Sequence, residues 1–282
     1  MARANRRDFI KGFAAAFGAA AVGGCKCPFC DCGKPRIAAQ LYSIHKIFWK
    51  KPEWCLEGLR NAGFDGVEFA GYDGHTAKEI RKYLADAGMT GMGTHVNGFV
   101  DLTGDGLKKT LDFAAEAGFE TVTTPHACCK TADEYRKFGR DMSLAAEAAV
   151  PYGIKVGIHS TYEHFTVKFD GVTAWDTLMA ATSPLLQQQV DTSNTFHTGT
   201  DVVALLKKYP NRHYSVHLKE NVPSRTATIG EPPKDGGPLV PWREVFDYLA
   251  TEDVAWYVIE AEQIPDSLKP LADSLTFVKA NW

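Results

Sequence analysis

Residues 106–126 read Gly-Leu-Lys-Lys-Thr-Leu-Asp-Phe-Ala-Ala-Glu-Ala-Gly-Phe-Glu-Thr-Val-Thr-Thr-Pro-His. The first part, Gly106–Ala117, mixes Ala and Leu with Lys and Glu at the spacing of an amphipathic helix. Gly118 follows, a residue that takes the left-handed conformation of a helix C-terminus at little cost. Thr121–Pro125 is rich in β-branched residues and reads as a short strand. It hands on directly to His126. Helix, glycine, strand and polar strand end thus form one unit.

The same unit recurs along the chain from Ile37 onward. Strands are expected at Ile37–Tyr42, Gly66–Ala70, Thr90–His95, Thr121–Pro125, Lys155–His159, Gln187–Asp191, Tyr214–Leu218 and Trp256–Glu260. Helices are expected at Pro52–Ala62, Thr76–Ala87, Gly106–Ala117, Thr131–Val150, Thr173–Ala181, Asp201–Lys208, Trp242–Ala250 and Asp266–Val278. Strands separated by helices pair in parallel, because a parallel neighbour needs a crossover. Eight such units have the size of a closed (β/α)8 barrel, typically about 250 residues. No Gly-x-Gly-x-x-Gly follows the first strand and no Gly-x-x-x-x-Gly-Lys-Ser/Thr occurs, so nucleotide-cradling open sheets lose their main support. No low-complexity linker divides residues 37–282, which are expected to form one catalytic α/β domain, a TIM barrel.

The 282 residues are 45% hydrophobic and 23% charged, ordinary for a globular enzyme rather than a disordered or fibrous chain. The 31 basic and 34 acidic side chains leave a net charge of −3, no surplus for neutralising phosphates, so a nucleic-acid partner is not expected. Residues 1–25 look like an address. Arg6-Arg7-Asp-Phe-Ile-Lys11, followed by an apolar run to Gly24, resembles a twin-arginine export signal and implies that export machinery as a partner. Val22-Gly-Gly-Cys25 resembles a lipobox, which would put a lipid anchor on Cys25 and the protein in the periplasm or on a membrane facing it. Residues 26–36 continue as a Cys-rich linker. Cys25, Cys27, Cys30 and Cys32 suit a processed leader, local disulfides or a metal site, and the spacing leaves all three open.

In a barrel of this kind the active site lies at the C-terminal ends of the strands. Those ends carry Glu68, His95 with Asn97 after it, His126, His159, Asp191, His217 with Lys219, and Glu260. One such residue has a bland explanation in a hydrogen bond or an ion pair. Seven ends converging on one mouth concentrate carboxylates and imidazoles that would repel or lose solvation unless something shares their charge. A divalent cation does so. His159, Asp191, His217 and Glu260 come from consecutive strands and lie along one arc. Two imidazoles with two carboxylates suit Mn, Co, Zn or Fe better than Ca.

Several segments resemble the xylose isomerase-like TIM barrel superfamily, in its sugar phosphate isomerase/epimerase branch that takes in the family 2 AP endonuclease fold. They are Gln40-Leu-Tyr-Ser43, Ala62-Gly-Phe-Asp-Gly-Val-Glu68, Lys207-Lys-Tyr-Pro-Asn-Arg212, His217-Leu-Lys219, Gly230-Glu231, Val240-Pro-Trp242 and Trp256-Tyr-Val-Ile-Glu260. The resemblance implies a divalent metal on strands 5 to 8, with Asp191, His217 and Glu260 matching. The strand-5 position departs: epimerases of the tagatose type have a glutamate there, and this chain has His159. Another branch places Tyr-His-Asn-His before Glu-Phe; here the run is Ile158-His-Ser-Thr161, with His164 where the Glu would fall. Lys219 belongs to the family's His-x-Lys-Asp motif, with Glu220 in place of the Asp. Some members of the looser branch act on 3-keto-glycosides by elimination.

The resemblance implies metal-assisted proton transfer beside the carbonyl of a keto-sugar, hence an isomerase or epimerase. A lyase or hydratase shares its first steps. Glu260 is expected as ligand and base, and His95, His126 or Lys219 as the second acid/base group. Glu68, Asn97 and Trp49 are expected to contact the carbohydrate. A non-catalytic sugar-binding lipoprotein is the alternative that the missing strand-5 glutamate favours. A nuclease would want more metal ligands and a basic groove.

Overall fold

A computed structural model describes residues 35–221, 228–232, 236–261 and 267–282. Arg6, Arg7 and the cysteines Cys25, Cys27, Cys30 and Cys32 lie outside the described residues. The strands are β1 (Ile37–Gln40), β2 (Gly66–Ala70), β3 (Thr90–His95), β4 (Thr121–Thr124), β5 (Lys155–His159), β6 (Gln187–Asp191), β7 (Ser215–Leu218) and β8 (Trp256–Ile259). They close into a barrel in chain order, every neighbour parallel, with β8 pairing back on β1. The helices outside are α1 (Pro52–Ala62), α2 (Ala77–Ala87), α3 (Gly104–Ala117), α4 (Ala132–Ala149), α5 (Ala174–Met179), α6 (Val202–Lys208), α7 (Trp242–Leu249) and α8 (Lys269–Asn281). No helix among the described residues is long and apolar enough to cross a membrane.

Several ends differ from the sequence reading for local reasons. β1 stops at Gln40 because the Tyr42 N–H donates to the Gln40 side chain at 3.0 Å, turning the chain into a tight helical turn, Leu41–Ile44. Thr76 and Thr131 cap α2 and α4 from outside, each in a reciprocal box with a glutamate three residues on. Periodicity alone misses the short helices Tyr162–Thr166 and Thr192–Phe196, and the ribbon of Lys168–Phe169 against Val172–Thr173. Each is too short to show a period.

The main core lies between strands and helices, and a smaller apolar cluster of Ala38, Met92, Trp256 and Val258 fills the lower barrel. Two residues further along β1 and β8, the same alternation brings Gln40 and Glu260 to the upper interior. Between β2 and β3 the register slips: Val67 pairs with Gly91, but Glu68 with Gly93. Gly93 is required there, since a Cβ would fall 1.9 Å from Thr121 Oγ1 and 2.6 Å from its carbonyl oxygen.

His164 is a structural residue outside the barrel. The Thr161 N–H donates to its Nδ1 at 3.0 Å, and its buried ring packs beside Tyr135 and Trp175. Burial, with His159 and His126 nearby, pushes its pKa from 6.5 down to about 3. The unfolded chain therefore takes up a proton that the folded one refuses. The stability tied to this ring is complete above about pH 6.5 and is lost as pH falls toward 3. His164→Gln keeps a capping acceptor without the titration. Denaturant titrations should then show a shallower fall of stability with acid across that window, by up to about 1.4 kcal/mol per pH unit. An unchanged slope would contradict a neutral, buried ring.

Candidate active site

The upper ends of the strands surround a cavity of about 630 Å³. Gln40, Tyr42, His95, Asn97, His126, His159, Lys219 and Glu260 are on its wall. Asp191 and His217 lie in the floor, fully buried. The alternation of β6, β7 and β8 puts Asp191, His217 and Glu260 on the inner face, and the backbone beyond β7 carries Lys219 to the same side.

The floor is a continuous polar network. His217 lies between two carboxylates, its Nδ1 2.9 Å from Glu260 Oε2 and its Nε2 2.7 Å from Glu68 Oε2. Lys219 Nζ donates to Glu260 Oε1 at 3.3 Å and stands 3.7 Å from Asp191 Oδ2. Asp191 caps the short helix Thr192–Phe196, its Oδ1 accepting from the Asn194 N–H at 2.7 Å. His159 Nε2 lies 3.5 Å from Asp191 Oδ2, beyond a good hydrogen bond. The His95 and His217 rings stack at 5.5 Å, and His159 meets His217 edge-on at 4.6 Å.

Burial opposes ionisation of all three acids, yet each carboxyl is held below its ordinary range. For Glu68 the opposing charges are His95 and His217; for Asp191 and Glu260 they are first Lys219 and then the imidazoles. Burial would lower the pKa of His217, but Glu68 and Glu260 outweigh it and raise it to about 10. Burial prevails at His159, whose pKa is lowered and whose ring is held neutral.

The ligand atoms of His159, Asp191, His217 and Glu260 all lie within 4.8 Å of one another. Neither ring nitrogen of His159 has a hydrogen-bond partner, nor does Asp191 Oδ2. Buried polar atoms left this way are rare in native proteins. A neutral imidazole facing an unshared carboxylate oxygen is a donor pair for a metal ion, and these four residues could hold one.

The structure brings together His95, His126, His159, Asp191, His217, Lys219 and Glu260, with Asn97 on the cavity wall, as the strand ends suggest. Two expected substrate contacts are placed elsewhere. Glu68 is buried below the cavity wall, its carboxylate occupied by side chains of the barrel interior. Trp49 is not on the wall of the large cavity. The helical turn after β1 carries it against Phe48 and Phe69, and it stacks on His75 at 4.7 Å. Sequence reasoning missed Gln189, which links His95, Glu68 and Ser215. Counting back by two from Asp191 would have found it.

The comparisons agree with this architecture. A family model described as the xylose isomerase-like TIM barrel matches residues 56–281. The chain belongs to that family. Among similar members is inosose dehydratase 1 of Bacillus cereus, 32% identical, with 79% of this chain and 86% of that one covered. Solved barrels include a sugar phosphate isomerase/epimerase from Parabacteroides distasonis, with a TM-score of 0.73 at 18% identity, covering 87% of this chain and 96% of that one. Another is 3-keto-D-glucoside 4-epimerase from E. coli, with a TM-score of 0.63 at 17% identity, covering 88% and 100%. These relatives on the xylose isomerase-like barrel are enzymes acting on sugars, a dehydratase as well as epimerases.

If His159, Asp191, His217 and Glu260 hold a cation, Asp191→Asn should weaken Mn(II) or Zn(II) binding in calorimetric titration by more than about tenfold, the lower end of what even outer-shell changes cost. Trp49→Phe should leave it unchanged. Equal, full-affinity binding by both variants would contradict the site.

Proposed function

We propose that the protein is a metal-dependent carbohydrate lyase that dehydrates a polyhydroxylated ketone. The reading rests above all on the end of β5. An epimerase with paired glutamates has a carboxylate there, and this barrel has His159, whose neutral ring has a bare nitrogen suited to a ligand and lacks the imidazolium proton a general acid would need. The similarity to an inosose dehydratase over most of both chains supports the same direction. A cation held by His159, Asp191, His217 and Glu260 would supply the electrophile that polarises the substrate carbonyl.

The remaining work falls to the chain's own groups. Gln189 donates through Nε2 to Glu68 and Ser215, so its Oε1 must accept from His95 Nε2, 2.8 Å away. That leaves His95 Nδ1 as the ring's proton acceptor. His95 then takes the proton from the carbon beside the carbonyl. The electron pair released forms the carbon–carbon double bond as the hydroxyl on the next carbon departs. Lys219 Nζ, at the cavity wall beside Glu260, delivers a proton to that hydroxyl, and water leaves. Asn97 and Tyr42 on the wall are placed to orient the other hydroxyls.

A second reading has its own support. His95 ends β3 and Lys219 follows β7, so the two stand across the barrel from each other. Groups on opposite faces of one carbon would exchange its proton with inversion, which is epimerisation.

Metal-loaded protein incubated in heavy water with keto-inositols, keto-hexoses and 3-keto-glucosides separates the two by NMR. Solvent deuterium uptake coupled to loss of water and a new unsaturated or dicarbonyl product is expected, and His95→Ala should slow it about 10²–10⁴-fold. Deuterium uptake with inversion and no loss of water would establish the epimerase instead. No exchange into any of these ketones would overturn both.

A further inference from the structure

Glu68 is the one buried carboxylate of the network that neither lines the cavity nor belongs to the four-donor group. Its oxygens accept from Gln40 Nε2 at 2.6 Å, from Gln189 Nε2 at 2.8 Å and from His217 Nε2 at 2.7 Å, and His95 Nε2 stands 3.3 Å away. Both amides are fixed from their far sides. Gln40 Oε1 accepts from the Tyr42 N–H, and Gln189 Oε1 faces His95, so each must turn its NH₂ toward Glu68. The carboxylate is therefore enclosed by donors and has no proton to offer.

We infer that Glu68 is a positioning residue: it holds the proton of His217 on Nε2 and so keeps Nδ1 as the nitrogen turned toward Glu260 and the cation position. The inference rests on the reading that His159, Asp191, His217 and Glu260 hold a divalent cation. A nitrogen that binds a cation cannot also carry a proton, so the bond at the opposite nitrogen decides which one is bare. Carboxylates behind ligating histidines commonly act this way, and their loss typically weakens metal binding 10–100-fold. The fold sets the arrangement. Gln40 and Glu68 are register partners on β1 and β2, and the slip after Val67 puts Glu68 opposite Gly93, where no side chain intrudes.

One competing reading exists, because Glu68, His95 and His217 also bring ligand atoms within 4.8 Å of one another. A second cation there would face the N–H groups of Gln40 and Gln189, whose oxygens are engaged elsewhere. Positioning fits these donors and a second ion does not.

Glu68→Gln tests the inference. Whichever way the new amide turns, its own N–H meets a donor, either Gln189 or the Gln40–His217 pair. Titration of the metal-free protein with Zn(II) should give one ion per chain in both proteins, with affinity about 10–100-fold weaker in the variant. Nitrogen-15 NMR of the zinc-loaded wild type should show His217 protonated at Nε2, and the variant should lose that single tautomer. Glu68→Asp serves if the glutamine variant does not fold. It keeps the charge one methylene short of His217, and a loss of at least about tenfold is expected. Unchanged affinity and tautomer in a folded variant would overturn the inference while leaving the four-donor reading intact. Two ions in the wild type and one in the variant would overturn it in favour of Glu68 as a ligand. A wild type that binds no zinc would overturn the four-donor reading itself, and the inference with it.

Discussion

Three carboxylates, Glu68, Asp191 and Glu260, stand in the upper barrel with little or no contact with solvent. At an effective dielectric of about 20, two unit charges about 4 Å apart repel by roughly 4 kcal/mol. The fold tolerates this because a protonated His217 stands between Glu68 and Glu260, its Nδ1 proton being the one a bound cation would displace, and because Lys219 reaches Glu260 and Asp191. Two cations against three anions leave one charge unmatched, and His159 stands neutral beside it. The closed barrel makes this concentration possible, since successive strands aim every second side chain at one axis.

The bottom of the same barrel shows what a fully matched arrangement looks like. Arg36 makes a two-pronged pair with Glu120 at 3.1 and 3.0 Å, and its guanidinium lies 4.0 Å over the Trp256 ring. Glu120 also accepts from the Tyr214 hydroxyl and the Trp256 indole. Both carboxylate oxygens of Glu120 thus have partners. At the top, His159 and Asp191 keep unused atoms within a group of four residues that could hold a metal ion. The contrast accords with the division of labour between the two faces of such barrels.

Much of this was legible in the chain. Helix, glycine and strand repeat with a period clear enough to place eight units, and the polar residues at the strand ends identified the cavity. Legibility failed where position depends on packing rather than period. Trp49 lies near a strand end in sequence, but a side-chain hydrogen bond at Gln40 ends β1 early and turns it into the helical layer. Glu68 has the same pattern as Glu260, yet the slipped register between β2 and β3 leaves it below the cavity wall. The short helix that buries His164 has too few residues to show a period, so the role of that ring depends on Tyr135 and Trp175, which are remote in sequence or in pattern.

Membership of the xylose isomerase-like barrel family accounts for the scaffold, and the strand-5 histidine sets this chain apart from barrels with a glutamate there. The central claim is that His159 and His217 join Asp191 and Glu260 around a single cation. Pulsed electron paramagnetic resonance of the Mn(II)-loaded protein counts directly bound imidazole nitrogens. Two are expected in the wild type and one in His159→Ala; a wild-type spectrum with no coordinated nitrogen, or one unchanged by the substitution, would contradict this coordination.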